Sequence, residues 1–275
     1  MIRRAKKNKY KAKGKKAFTL RFGLKCFMTL TLFSILSLTA IFAHDFITQT
    51  PFFNITRIDI SGIKHATRDE ILKLTTLKES KNIFELNTGL AEKEIISHPW
   101  IQSAEVKRQL PSELLISIIE HKALAIVHVG NTAALINFQG LPFKQYIPDS
   151  DKLSDITVVK GLKLNQIDDK HLFTGRLFES VMEFLNTNKS GHVQQITANE
   201  YMGISILSEE FHRLSNDPES DIIPIKLGFN NYKAKLKKAK RIYKYMAEHF
   251  TDRSIHTMDL FDIEKAFIRT IKHSK

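Results

Sequence analysis

A seam near residue 25 limits what this chain can fold into. Residues 1–25 contain eleven Lys or Arg and no acidic residue. The next eighteen residues, Cys26 to Ala43, contain no charge. At about 1.5 Å per residue, such a stretch makes a helix roughly 27 Å long, close to the ~30 Å hydrocarbon core of a bilayer. A dense positive cluster on one side keeps that end in the cytoplasm. The expectation is a basic cytoplasmic tail over 1–25, a membrane span over 26–44 and the remainder on the far side. A secretory signal peptide has an apolar stretch of about 7–15 residues and a small-x-small cleavage site. Here the stretch is longer, and Ile41 and Ala43, or Leu38 and Ala40, make poor cleavage sites. An uncleaved anchor is therefore expected, with a cleaved periplasmic protein as the alternative.

The formal net charge of +13 suggests a nucleic-acid binder until it is divided along the chain. The tail holds eleven of the positive charges, which leaves 31 basic against 29 acidic residues in the rest. The excess is explained by the membrane flank, where each Lys or Arg near an anionic leaflet contributes about 1 kcal/mol. No nucleic-acid partner is expected. The single cysteine, Cys26, lies at the cytoplasmic edge of the span, so the outer portion has no disulfides. That portion must be held by apolar burial, most naturally as two domains, 51–122 and 123–275.

In the first domain, Thr48 to Phe53 reads as a connector broken by Pro51. Ile58 and Ile60 alternate as in a strand that stops at Ser61-Gly62. Thr67 and Glu70 have the spacing of a capping box. Behind it, Ile71, Leu74 and Leu77 fall on one helical face. Asn87 caps a second helix with Leu90, Ala91, Glu94 and Ile95, which must end before Pro99. Ala104 to Gln109 and Glu113 to Glu120 read as strands around a Leu110-Pro-Ser112 turn. The order is strand, helix, helix, strand, strand. Two helices over one face of a three-stranded sheet would bury Ile58, Ile60, Ile71, Leu74, Leu90, Ile95, Val106, Ile116 and Ile118.

The second domain reads as strands at Ala133 to Phe138, Leu141 to Phe143 and Ile156 to Gly161, then a helix over Asp168 to Asn186. Further strands follow at Gln194 to Asn199, Gly203 to Leu207 and Ile223 to Gly228. The strongest helix carries Tyr232, Leu236, Ala239, Tyr243, Met246 and Phe250 as an apolar stripe. Its Lys233, Lys235, Lys237, Lys238, Lys240, Arg241 and Lys244 read as a solvated face, with contact to anionic wall polymer or lipid head groups as the alternative. Two closing strands, Ser254 to Leu260 and Lys265 to Arg269, are joined by Phe261 to Glu264.

No catalytic set stands out. The eleven histidines are scattered, and His249 and His256 have no third ligand nearby. Asp168-Asp169 and Glu209-Glu210 read as helix-start and loop charges. Gly-rich phosphate loops and nucleophile elbows are missing from the sequence. Leu227-Gly228 reads as a turn. Trp100 reads as a packing anchor at a helix end, with a partner contact as the lesser alternative. Neither metal nor cofactor is expected, and the chain is not expected to be an enzyme. What remains is an adaptor presenting sheet edges, to which a partner strand can add. The last strand is expected to be the edge, because it lies near the C-terminus and no later strand is available in the sequence to cover it. Phe267 should project to one side, with Ala266 and Ile268 on the other.

FNITRIDISGIKHATRDEIL, NIFELN and SHPWIQSAEVKRQLPSELLISIIEHKALA, taken in order, resemble the POTRA domain of the FtsQ/DivIB family of bacterial cell-division proteins. Lys122 departs from the proline usual there. VVKGL, PIKLGFNNYKAKLKKAKRIYKYM and IHTMDLFDIEKAFIR are similar to the same family's β-domain. The resemblance implies an α+β architecture of basic tail, single span, POTRA domain (β-α-α-β-β) and β-domain with antiparallel sheet. It implies an essential-type divisome adaptor linking early and late septal proteins, anchored in the inner membrane with periplasmic domains at mid-cell. The short ending suggests the Gram-negative form. The implied partners are FtsB and FtsL, then FtsW, FtsI, FtsK or FtsN-type proteins. Carried over by position, the partner edge is Phe261, Lys265, Ala266, Phe267, Ile268 and Arg269. The alternatives are a POTRA protein of secretion or outer-membrane assembly, and a membrane-anchored wall enzyme.

Overall fold

A computed structural model describes residues 13–75, 77, 81–151, 153–167, 170–188, 193–213 and 222–272. The chain divides into two compact units, residues 1–98 with 103–118, and residues 99–102 with 119–275.

The first unit begins with helix α1, Lys13–Gln49, longer than the expected span. Its part Phe22–Gln49 contains an 18-residue window of mean hydropathy 2.0 and is long and apolar enough to cross a membrane. The helix runs through Thr48 and Gln49, which the sequence reading had placed in the connector. A single 3-10 turn, Pro51–Phe53, then leads to β1, Arg57–Ser61. Helices α2 (Arg68–Leu74) and α3 (Thr88–Ile96) follow, then strands β2 (Ile101–Gln109) and β3 (Glu113–Glu120). The sheet order is β1-β3-β2, with β1 parallel to β3 and Ile58 opposite Leu114.

Alternation along these strands turns Ile58, Val106, Leu114 and Ile116 inward, where they are buried together with Ile71, Ala91 and Ile95 of the helices. Leu74 and Leu90 are exposed, against expectation. The physical reason is that α2 ends at Leu74 and lasts barely two turns, so Leu77, beyond it, is buried instead. Gly62 has φ +88, and a Cβ there would meet the Ile118 carbonyl oxygen at 1.9 Å, so this turn requires glycine.

The capping box forms as spaced. The Glu70 amide donates to Thr67 Oγ1 at 3.3 Å, and the Thr67 amide donates to Glu70 Oε2 at 2.8 Å. These bonds to Thr67 hold the Glu70 carboxyl below its ordinary pKa. Thr67→Ala should destabilise the first unit by about 1 kcal/mol. A depressed carboxylate stabilises above its unfolded pKa and loses that contribution as pH falls through the folded value. The stability difference between wild type and T67A, followed by amide exchange in α2, should therefore narrow below the ordinary carboxylate range.

The second unit is a nine-stranded mixed sheet. Its strands are β4 (Ala123–Val129), β5 (Thr132–Asn137), β6 (Pro142–Gln145), β7 (Thr157–Lys160), β10 (Val193–Asn199), β11 (Gly203–Ser208), β12 (Ile225–Gly228), β13 (Arg253–Asp259) and β14 (Phe267–Lys272). Their order is β14-β13-β12-β11-β10-β7-β4-β5-β6. The pairs β4–β7, β7–β10 and β12–β13 are parallel and the others antiparallel. A separate hairpin, β8 (Leu164–Ile167) with β9 (Lys170–Phe173), precedes helix α5, Arg176–Thr187. A four-residue helix, α4 (Pro148–Asp151), follows β6, and α6 (Glu209–Arg213) follows β11. Helix α7 spans Tyr232–His249.

Two expectations are corrected here. Residues 168–186 are not one helix. Gly175, at φ +98, breaks the chain, so Leu172 lies in β9 while Leu177, Val181 and Leu185 lie in α5. Asp168 and Asp169 lie outside the described residues. The second correction is β4, which the sequence reading passed over. Ala125 and Val127 belong to the main core, and Ile126 to a second cluster with Trp100 and Leu135. A strand buried on both faces reads as a continuous apolar run without the alternation that marks a half-exposed strand.

The main core packs Val181, Phe184, Tyr232, Ala239 and Tyr243 of α5 and α7 against one sheet face, including Ile255 and Met258 of β13. Trp100 packs as an anchor, but against Phe143 at 5.4 Å between ring centroids and not at a helix end. Phe250, expected on the stripe of α7, caps its end and is exposed.

Candidate functional site

Among the described residues, strand β14 stands at one edge of the sheet, with β13 as its only strand neighbour. The pairing sets Phe267 opposite Asp259, Ile268 opposite Met258 and Ile271 opposite Ser254. Met258 is fully buried, so Ile268 shares the core-facing side, and Ala266 packs on the same core. Phe267 belongs to the opposite face and is 67% exposed. Phe261, Ile263 and Ile271 are also exposed. The strand begins at Phe267 and runs on to Lys272, so Lys265 and Ala266 precede it. An apolar patch thus lies along a sheet edge, beside main-chain groups that a further strand could pair.

The loop before β14 is held from beneath by Lys235. This side chain, expected on the solvated face of α7, is 2% exposed. Its Nζ donates to three backbone carbonyls: Leu227 at 2.6 Å, Phe229 at 2.9 Å and Phe261 at 2.9 Å. Three donors are what an ammonium carries. Burial holds this amine below the usual lysine pKa, while Asp262 and Asp259 act in the other direction. Lys238, also expected in solvent, donates to the Ile263 carbonyl at 2.8 Å. The Phe261 amide donates to Asp259 Oδ1 at 2.9 Å, and the Glu264 amide to Asp262 Oδ1 at 2.8 Å.

Gly228 (φ +67) completes the seat, because a Cβ there would lie 2.6 Å from the Phe261 ring. Phe261 meets Phe229 edge-on at 6.5 Å, and the Arg176 guanidinium lies 4.5 Å over the Phe229 ring. The sequence reading named Phe261 but missed Lys235. The signal was available, since Lys235 lies three residues after Tyr232 and four before Ala239, on the buried face.

The opposite edge, β6, has a different character. It is four residues long and opens with proline, two features that blunt an edge. Its Lys144 is engaged by Asp151 at 2.7 and 2.8 Å.

Among the described residues, no three His, Cys, Asp or Glu gather to hold a metal. His249 Nδ1 lies 3.0 Å from the Tyr245 carbonyl oxygen. Glu209 and Glu210 open α6, where Glu210 pairs with Lys240 at 2.5 Å. Burial raises the Tyr232 phenol and pushes that of Tyr243 up to about 12, so both are neutral near pH 7.

Residues 53–121 match the family profile described as POTRA domain, FtsQ-type. Fold and match together define a POTRA protein with an N-terminal apolar helix and a second, sheet-rich domain. Cell division protein FtsQ of Geotalea daltonii is 27% identical over 207 residues, 73% of this chain and 70% of the relative. FtsQ of Myxococcus fulvus is 32% identical over 113 residues, 41% of this chain and 39% of the relative. Cell division protein DivIB of Clostridium tetani is 29% identical over 131 residues, 48% of each chain. The chain is similar to cell-division proteins of the FtsQ/DivIB family, and its residues 53–121 carry an FtsQ-type POTRA domain.

Proposed function

We propose that the chain is a divisome adaptor that acts by protein–protein contact and not by catalysis. Its apolar helix anchors it in the inner membrane, with the basic tail in the cytoplasm and residues 51–122 and 123–275 as two periplasmic docking modules at the septum. The partner edge comprises Phe261 and Lys265 to Arg269, and it recruits FtsB and FtsL by strand addition. Contacts to FtsW, FtsI, FtsK or FtsN-type proteins follow from the same role. The observation that carries this reading is the contrast between the two sheet edges. One is longer, apolar and seated on a fixed loop, and the other is short, begins with proline and has its lysine tied to a buried acid. The second unit is an open sheet with two edges and not a closed barrel, which weighs against an outer-membrane pore.

Phe267→Glu in the full-length chain tests the reading. Phe267 contributes little to the core, so folding should be unaffected. Capture of an FtsB-like partner should fall about 30-fold, equivalent to losing a 2 kcal/mol hot spot. Lys233→Glu, on the exposed face of α7, should leave capture near wild type. Unchanged recovery with F267E removes this strand from the interface.

A further inference from the structure

The first unit carries three phenylalanines at the exit of the apolar helix. Phe52 is 63% exposed and Phe84 41% exposed. Phe53 lies between them, 5.1 Å from Phe52 and 5.2 Å from Phe84 between ring centroids, both edge-on. Phe42 and Phe46, on the last turns of α1, are 66% and 64% exposed.

The join between α1 and this cluster is braced by hydrogen bonds. The Asn82 side-chain amide donates to the Ile47 carbonyl at 2.7 Å and the Thr48 carbonyl at 2.8 Å. These are carbonyls of the last helical turn, which have no partner within the helix. Asn82 is only 4% exposed, and its Oδ1 accepts from the Phe84 amide at 2.9 Å. The Ile83 amide donates to the Phe53 carbonyl at 2.9 Å, and the Ile55 amide to the Lys81 carbonyl at 2.9 Å. Asn82 thereby fixes Phe84 and the Pro51–Phe53 turn to the end of the helix. The aromatic cluster cannot swing away on a flexible linker.

Length then sets its depth. The 28 residues Phe22–Gln49 form a rod of about 42 Å, matching the ~40–45 Å of a bilayer with its head groups. Phe52 lies three residues beyond Gln49, at the outer limit of the head-group layer. Apolar rings such as phenylalanine bury at the boundary between head groups and acyl chains, as the Trp, Phe and Leu face of an interfacial helix does. We propose that Phe52, Phe53 and Phe84 form a foot that rests in the head-group layer of the bilayer crossed by α1, holding the first domain at a fixed pose on the membrane. The inference rests on α1 being a membrane anchor.

The test uses the full-length chain in lipid vesicles containing brominated phospholipid, with Cys26→Ser and single bimane-labelled cysteines. The labels stand at Phe46, Phe52, Phe84 and, as an aqueous control on the first unit, the exposed Lys107. Bimane replaces one apolar ring with another, so the foot keeps its character. Quenching by bromolipid should be strong at 46 and several-fold above the control at 52 and 84. Adding Phe52→Glu should bring quenching at 84 down towards the control. Strong quenching at 46 with control values at 52 and 84 would overturn the foot while leaving the anchor intact. Control values at 46 as well would instead overturn the anchor. Shielding of 52 and 84 from aqueous quencher without bromolipid quenching would mean that protein, not lipid, covers them, and would also refute the proposal.

Discussion

Lys235→Met should destabilise the second unit by about 3 kcal/mol, whereas Lys233→Met and Lys237→Met should fall within about 0.5 kcal/mol of wild type. All three changes remove one positive charge from the same helix, but only Lys235 is buried. Methionine approximates the length of the stem and removes the ammonium, so the Leu227, Phe229 and Phe261 carbonyls lose a shared donor. Each unsatisfied buried acceptor costs about 1–3 kcal/mol, offset in part by relief from burying a charge. Arginine should not rescue, because a planar fork cannot replace a compact point donor among three converging carbonyls.

The single tryptophan, Trp100, lies in the core of the second unit, and its fluorescence during urea titration reports the midpoint. A loss of that size should lower it by about 1–2 M. The docking reading adds a second outcome. Because Lys235 holds the Phe261 carbonyl, K235M should also weaken partner capture under conditions where the variant is still folded. Burial lowers the Lys235 pKa, so its contribution to stability is largest above the ordinary lysine value and falls as pH drops through the folded value. That slope should be missing from K235M. Equal midpoints for K235M and K233M would show that the three hydrogen bonds do not hold the loop.

The same lysine shows where sequence reading succeeds and where it stops. The stripe Tyr232, Ala239, Tyr243 follows from a helical period, and each of these residues is buried. Lys235 fits that period as well, but its charge assigned it to solvent. Residue type overrode position. What rescues the buried ammonium is a set of carbonyls from β12, the Phe229 segment and the Phe261 loop, brought together only by the fold. Long-range convergence of backbone acceptors leaves no local mark. The Thr67–Glu70 box and the Asn87 cap were legible because donor and acceptor lie within one turn. Strand β4 was not, because burial on both faces erases alternation. The opposite facing of Phe267 and Ile268 in β14 was legible from strand alternation, whereas the weakness of the other edge depends on a lysine–aspartate pair that only the structure shows.

Asp151→Ala should cost the second unit about 3 kcal/mol, and the paired change Lys144→Met with Asp151→Leu should restore most of it. The Asp151 side chain is 2% exposed and that of Lys144 15%. The carboxylate accepts from Lys144 Nζ at 2.7 and 2.8 Å and from the Ile147 amide at 2.8 Å. It thereby closes the turn between β6 and α4 beside the Trp100 cluster. Alanine leaves a poorly hydrated ammonium and an unpaired amide. The apolar pair instead takes both charges out of a poorly hydrated site beside the Trp100 ring, where they were expensive to bury. Lys144 Nζ also lies 6.0 Å over the Trp100 ring, so the single variant should shift tryptophan emission before any unfolding. If β6 is kept from pairing by this arrangement, D151A should in addition self-associate through that edge, visible as concentration-dependent sedimentation. The paired variant should sediment as a single species if the ordered turn suffices to protect the edge, whereas association of the paired variant but not of D151A would mark the lysine charge as the protecting element.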